Sequence, residues 1–417
     1  MTIETIQDKI RGCLIGGAIG DALGYPVEFF PWKYIVERYS KGEKRGITEY
    51  HLDSKTRKAV FSDDTQMTLF TANGILVNET AKQLGSARDN LKTAVYEAYL
   101  EWYRTQTSSY PNHYRWRCSW LMEIPELFEA RGPGNTCMEA LGSGECGSIK
   151  YPINNSSGNG GLMRVAPYGC YFRDMSEREL IMAAAESTAI THGNSLGYIP
   201  SGMMALIVRK CIYEDHASLR EIILSSYRAT GQVFSADPQW PKLCELIDLA
   251  FSLSGKSEAD ISNTEADVSN FETDISNTEA GVSNFETDIK NIRQLGKGTT
   301  GDSALAIAVY CSLKYENDFS SGVIAAVNHD GDSDSTGAIT GNLLGAWLGL
   351  GRIDDKWLEP LEMKDIILEM ADDLCFGVPS GGVISGSVPS GSVDSGSEAE
   401  CAAAWRAKYV EMRRSVN

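Results

Sequence analysis

Carboxylates gather at two places in this chain. In AVFSDDTQMTLF, Ser62, Asp63, Asp64 and Thr65 precede a run with helix-period apolar positions. In VNHDGDSDSTGAITGNLLGAWLG, Asp330, Asp332 and Asp334 alternate and then give way to a second apolar run. One side chain suffices to cap a helix, and acids in the first turn favour its dipole. Surplus carboxylates at neighbouring positions nevertheless repel one another unless a cation screens them. An EF-hand loop starting at Asp330 fails, because Ser335 falls where the turn glycine belongs and Gly341 where the bidentate Glu belongs. Asp, Ser and Thr oxygens suit Mg²⁺ or Mn²⁺, whereas Zn²⁺ would prefer His and Cys. The two clusters together offer enough carboxylates for two cations at the roughly 3.5–4 Å spacing of binuclear hydrolytic centres.

Two further stretches are polar within apolar surroundings. SSGNGGLMRVAPYG places Ser157, Gly158, Gly160 and Gly161 around Asn159, where exposed backbone N–H groups could cradle phosphate. It matches neither the dinucleotide nor the Walker glycine motif, and a plain turn fits it equally well. STAITHGNSLGYIPSG sets His192 between an apolar helix and a glycine turn, a position at which a lone His more often serves structure than chemistry.

These residues must be positioned by helices. LKTAVYEAYLEWYRT, ELIMAAAESTAI, MMALIVRKCIY, ALAIAVYCSLKY and IILEMADDLCF repeat their apolar residues at three and four, and strand-like alternation is sparse. The expected fold is all-α. Glycine inside a helix costs about 1 kcal/mol against alanine, so regular spacing needs a reason. Gly337, Gly341, Gly345 and Gly349 recur every fourth residue, as do Gly16, Gly20 and Gly24 in IGGAIGDALGYPVEF. Each series lines one side of its helix, which predicts close packing of two helices and convergence of the acidic groups beside them.

The totals narrow the function classes. A net charge of −18 over 417 residues argues against nucleic acid held on a basic surface. Ten cysteines without a C-x-x-C pair read as reduced thiols. Asp21 interrupts the apolar start, and no stretch has the length of a membrane span. The expectation is a soluble, monomeric, cytoplasmic protein.

One domain is expected over residues 1–376, interrupted by an insertion at 254–294. Within the insertion, EADISNT, EADVSNF, ETDISNT, EAGVSNF and ETDIKNI follow one another from Glu258 to Ile292, with nine acidic residues and no basic one before Lys290. The seven-residue period suits a coiled coil, but Ser, Asn, Thr and Asp are poor helix formers. The insertion is therefore expected to be mobile or weakly helical and to carry no chemistry. A Gly/Ser/Val-rich linker at 377–400 and a short helix at 401–417 complete the chain.

In order, GCLIGGAIGDALGYPVEF, FSDDTQMTL, NGGLMRVAPYG, THGNSLGYIPSG, GKGTTGDSALAIAVYCSL and GDSDSTGAITGNLLGAWLG resemble the motifs of the ADP-ribosylglycohydrolase family. The resemblance spans almost the whole chain outside the repeats and tail. It implies an all-α fold around a binuclear Mg²⁺ or Mn²⁺ centre, with Ser62, Asp63 and Asp64 matching one ligand group and Asp332, Asp334 and Ser335 the other. The family's usual hydroxyl ligand at the Ser62 and Ser335 positions is Thr. Asp330 matches no required ligand. Glu28 matches a glutamate over the substrate site, and either Glu28 or Asp332 would be the catalytic base. Ser157, Gly158, Asn159, Gly160, Gly161 and His192 match the parts that hold the diphosphate and distal ribose.

The implied reaction removes ADP-ribose from a protein side chain, arginine first, because IGDALGYPVEF looks most like the bacterial arginine-directed members. Serine-linked ADP-ribose, O-acyl-ADP-ribose and a modified nucleobase are alternatives. So are a catalytically silent ADP-ribose-binding protein and a metal phosphohydrolase cutting the diphosphate.

Overall fold

The glycine spacing finds its reason in the N-terminal helix, Ile3–Gly24, which runs antiparallel along the helix Ser333–Leu348. A Cβ on Gly16 would stand 2.3 Å from the Gly341 carbonyl oxygen, and one on Gly20 would stand 1.9 Å from that of Gly337. Cβ atoms on Gly341 and Gly345 would meet the carbonyl oxygens of Gly16 and Gly12 at 1.9 Å. The backbones touch, and any side chain would force the helices apart. Gly12 thus extends the seam beyond the glycines expected. Gly349 borders the end of the seam, its carbonyl carbon 2.7 Å from where a Cβ on Gly12 would stand; at φ +83° it ends the second helix, and a Cβ on it would strike the Asp8 carboxylate. The seam brings the end of the first helix, at Gly24, against the start of the second, at Ser333.

The coordinates come from a computed structural model that describes residues 1–42, 45–85, 90–111, 118–215, 217–255, 280–378 and 403–410. Among these no strand forms, and only two isolated bridges occur, Ala59–Leu361 and Gly158–Thr300. The all-α expectation holds. Helices Asp63–Gln83, Ser195–Tyr213, Gly301–Lys314 and Phe319–Val327 surround the seam, and Lys364–Phe376 packs along the N-terminal helix. Many begin where the sequence supplies an N-cap: Thr2, Ser62, Asn90, Asn194 and Asp318 each accept a backbone N–H, and Ser176 and Ser218 complete capping boxes with Glu179 and Glu221. No helix among the described residues is long and apolar enough to cross a membrane.

The structure corrects the reading of the repeat. Helix Ala280–Leu295 takes in its last unit, ETDIKNI, where Ile289 and Ile292 are buried in the body of the protein. Asp288 is also buried and accepts hydrogen bonds from Tyr310 Oη at 2.5 Å, Lys314 Nζ at 2.6 Å and Tyr315 Oη at 2.6 Å. Three donors on the neighbouring helix offset the desolvation of its charge. The expected insertion at 254–294 therefore ends in a packed element, while residues 256–279 lie outside those described. The terminal helix is seen at residues 403–409, docked by buried Trp405 and Tyr409; Trp405 Nε1 donates to Thr80 Oγ1 at 3.0 Å and Tyr409 Oη to Asp373 at 2.7 Å. Residues 379–402, most of the expected linker, also lie outside the described part.

Candidate metal centre and substrate cleft

Both acidic clusters stand at helix starts that face one cleft, but each is built differently. Ser62 caps the helix Asp63–Gln83 by accepting the Asp64 N–H at 3.2 Å, which frees both aspartates from capping. Asp63 Oδ2 accepts the Gly134 N–H at 3.1 Å, and its own N–H donates to the Arg131 carbonyl at 3.1 Å. At the other cluster Asp332 occupies the N-cap position without a capping bond from its side chain. Its N–H is spent instead on the Lys297 carbonyl at 2.8 Å.

The result is a cleft of about 360 Å³ lined by Glu28, Asp63, Asp64, Asp332, Asp334 and Ser335 together with residues 132–137 and 158–160, Met163, His192 and Thr299. Ligand oxygens of Glu28, Asp332 and Asp334 lie within 4.8 Å of one another. Asp64 Oδ2 is buried and has no hydrogen-bond partner. Burial pushes the carboxyls of Asp63, Asp64 and Asp334 well above the usual range, and neighbouring carboxylates push them further in the same direction. Glu28 rises to about 7, through burial first and then the charges of Asp332 and Asp21. Oxygen donors converge, one of them is orphaned, and the repulsion among them would be relieved by hard cations. The donor set fits divalent metal.

Most of the residues singled out in the sequence therefore meet here. Of the expected ligands and substrate contacts, three do not line the cleft. Ser62 is fully buried in its capping role and donates its N–H to Asp21 Oδ1 at 2.8 Å. Ser157 acts through its carbonyl, which accepts the Gly301 N–H at 3.0 Å. Gly161 leaves room for Thr188, whose Cγ2 would stand 2.1 Å from an added Cβ. Asp330 turns away, accepting the Trp32 N–H at 2.6 Å and Arg293 Nε at 2.7 Å.

The glycine loop is tied by main-chain and amide contacts to the segment after Lys297, whose carbonyl holds Asp332. Asn159 Nδ2 donates to the Gly298 carbonyl at 2.7 Å, and the Asn159 N–H donates to that of Thr299 at 3.3 Å. His192 lies beneath this loop. Added Cβ atoms at Gly158 and Gly160 would stand 3.1 and 3.0 Å from its ring, so glycine there lets the imidazole pack against the backbone. Its Nδ1 pairs with Thr191 Oγ1 at 2.8 Å, and burial, followed by the Arg164 charge, holds the ring neutral with a pKa near 3.

Sequence reasoning missed two supports. Asp21, fully buried, accepts three hydrogen bonds: Ser62 N–H at 2.8 Å, Thr65 N–H at 2.9 Å and Thr65 Oγ1 at 2.5 Å. It fixes the turn that presents Asp63 and Asp64. Its available signal was a single carboxylate inside an otherwise apolar glycine helix. The second support is the loop at Arg131–Gly134, anchored by the buried Arg131–Glu362 pair, in which Nη2 meets Oε1 at 3.0 Å.

A sequence model of the ADP-ribosylglycohydrolase family matches residues 2–380, and the chain belongs to that family. It is 22% identical over 395 residues to ADP-ribosylhydrolase ARH3 of Gallus gallus, covering 88% of this chain and 92% of that one. It is 21% identical over 359 residues to the uncharacterized protein YegU of Escherichia coli K12, covering 83% and 90%. A solved structure titled ADP-ribosylglycohydrolase-related protein complex aligns with 89% of this chain and 99% of its own, at a TM-score of 0.57 and 21% identity. That likeness speaks for the fold.

Proposed function

We propose that this hydrolase releases ADP-ribose from modified protein side chains, with the arginine-linked adduct as its first substrate. The observation that carries the reading is the convergence of Glu28, Asp64, Asp332, Asp334 and Ser335 on a cleft whose other wall is the Asn159 loop. Asp63, Asp64, Asp332, Asp334 and Ser335, with Ser62 by resemblance, would hold two Mg²⁺ or Mn²⁺ ions. Such ions supply Lewis-acid polarisation of ribose hydroxyls and lower the pKa of a water. Backbone N–H groups at 158–160 would receive the diphosphate, and neutral His192 keeps that loop in place.

In the reaction, the bond from the ribose anomeric carbon to the side-chain nitrogen breaks and water oxygen takes its place through an oxocarbenium-like transition state. One water proton ends on the departing nitrogen. Glu28, whose carboxylate lies in the cleft beside Asp332 and Asp334, is the first candidate for taking and giving that proton, with Asp332 the second. The arginine preference is supported by a cleft that, among the described residues, is lined with carboxylates and with neither Lys nor Arg, which favours a cationic leaving group. Incubating the protein with Mg²⁺ or Mn²⁺ and a peptide ADP-ribosylated at arginine should release intact ADP-ribose and stop in EDTA. AMP as the product would assign the cut to the diphosphate, and retained activity after complete metal removal would end the binuclear proposal.

A further inference from the structure

Beside Glu28, Phe29 breaks two rules at once. Its backbone has φ +58°, a left-handed conformation that a bulky side chain adopts only under constraint. Its ring is 57% exposed although it lines the cleft. The constraint is visible: the Phe29 N–H donates to the Gly331 carbonyl at 2.8 Å, and that of Phe30 to Val27 at 3.0 Å. Asp330 then holds the Trp32 N–H at 2.6 Å. Folding alone would be served better by glycine or asparagine at such a position, and it gains little burial from the ring. A strained, exposed aromatic residue in a cleft is therefore a functional candidate.

The surroundings define what it could hold. Phe30 and Tyr34, next along the chain, stack at 4.5 Å between centroids and remain 40% and 37% exposed. The Arg38 guanidinium lies 6.0 Å from the Tyr34 ring, an instance of the same pairing within this patch. Inside the cleft the charged lining groups are five carboxylates, Glu28, Asp63, Asp64, Asp332 and Asp334. Two divalent cations would leave one negative charge uncompensated. A planar cation is what both the ring and this charge would accept, because a guanidinium stacks on aromatic faces and pairs with carboxylates in its plane.

We propose that Phe29 is the leaving-group platform of the cleft: the guanidinium of an ADP-ribosylated arginine stacks on its ring while its N–H edge meets Glu28. The inference rests on the arginine-directed reading above and assigns the discrimination among linkages to this residue. Serine-linked and O-acyl adducts present no cation and gain nothing from it.

The test uses the full-length, metal-loaded protein and an arginine-ADP-ribosylated peptide. Phe29→Ala and Phe29→Leu should raise KM by roughly 5–30-fold, the range of a desolvated cation–π contact, with kcat held within about threefold. Phe29→Tyr and Phe29→Trp should restore KM. ADP-ribose, which lacks the guanidinium, should bind all variants with a Kd within about twofold of wild type by calorimetry. Wild-type KM in Phe29→Leu would overturn the platform, as would a loss of ADP-ribose affinity equal to the loss for the peptide. If the wild-type protein binds ADP-ribose but releases none from the arginine peptide, the arginine reading itself fails, a result distinct from turnover that ignores Phe29.

Discussion

The two acidic clusters look alike in sequence, yet the fold supports them by opposite means. Ser62-Asp63-Asp64 is held from outside: Asp21 fixes the turn, and the Arg131–Gly134 loop holds Asp63 through two main-chain hydrogen bonds. Asp332-Ser333-Asp334-Ser335 is held through main-chain groups, with the Lys297 carbonyl taking the Asp332 N–H and Thr336 Oγ1 returning to the Asp332 carbonyl at 2.8 Å. The first cluster depends on a buried charge elsewhere, whereas the second depends on backbone. A metal centre here would draw on one cluster sensitive to a remote side chain and one held through backbone groups, that of Lys297 included.

The largest effect should come from the carboxylates themselves. Asp64→Asn and Asp334→Asn should each lower kcat/KM by more than the roughly 10–100-fold typical of groups behind a metal's ligands. Near-equal losses would show that the clusters act as one centre, and a loss confined to one would split them. Next comes Asp21→Asn. The amide keeps one acceptor oxygen but turns an N–H₂ toward the N–H of Ser62 or Thr65, donor against donor. Mn²⁺ affinity measured by calorimetry should fall by about 10–100-fold although Asp21 is not among the residues lining the cleft. An unchanged affinity would mean that the first cluster does not depend on Asp21.

A smaller effect follows from protonation. In metal-free protein the Glu28 carboxyl moves from 4.5 when unfolded to about 7 when folded, and Asp63, Asp64 and Asp334 shift in the same direction. The folded state then binds more protons than the unfolded one between these values, so stability falls as pH rises through that window. Thermal melts in EDTA should show Tm declining from pH 5 to pH 7.5, with Mn²⁺ raising Tm more at pH 7.5 than at pH 5. A flat profile would mean that the carboxylates do not repel as described. The smallest effect belongs to the repeat: replacing residues 256–279 with a short Gly/Ser linker should change kcat/KM less than about twofold, since loop length alters closure entropy only weakly.

Much of the centre was legible because helix periodicity and glycine spacing are local patterns with direct geometric consequences. Gly16 against Gly341 and Gly20 against Gly337 follow from i, i+4 spacing on two apolar helices. Asp21 was illegible as a support because its three donors come from residues 41 and 44 positions away. The last repeat unit misled for a different reason. Its composition resembles its neighbours, and only Lys290 and Ile292 depart from the Ser and Thr or Phe found there. Those departures mark where the chain re-enters the core, and the contacts of Asp288 come wholly from another helix. Glu28 was identified through resemblance, but its place among oxygens that could hold a metal ion appeared only once the seam had brought Gly24 against Ser333.

Both clusters are proposed to bind cations together. Titrating metal-stripped protein with Mn²⁺ by calorimetry at pH 7.5, beside Asp64→Asn and Asp334→Asn, tests it most directly. The expected result is two ions per wild-type chain, with at least one lost in each variant. A single ion or none in the wild type, or two ions retained when either cluster is disabled, would contradict it.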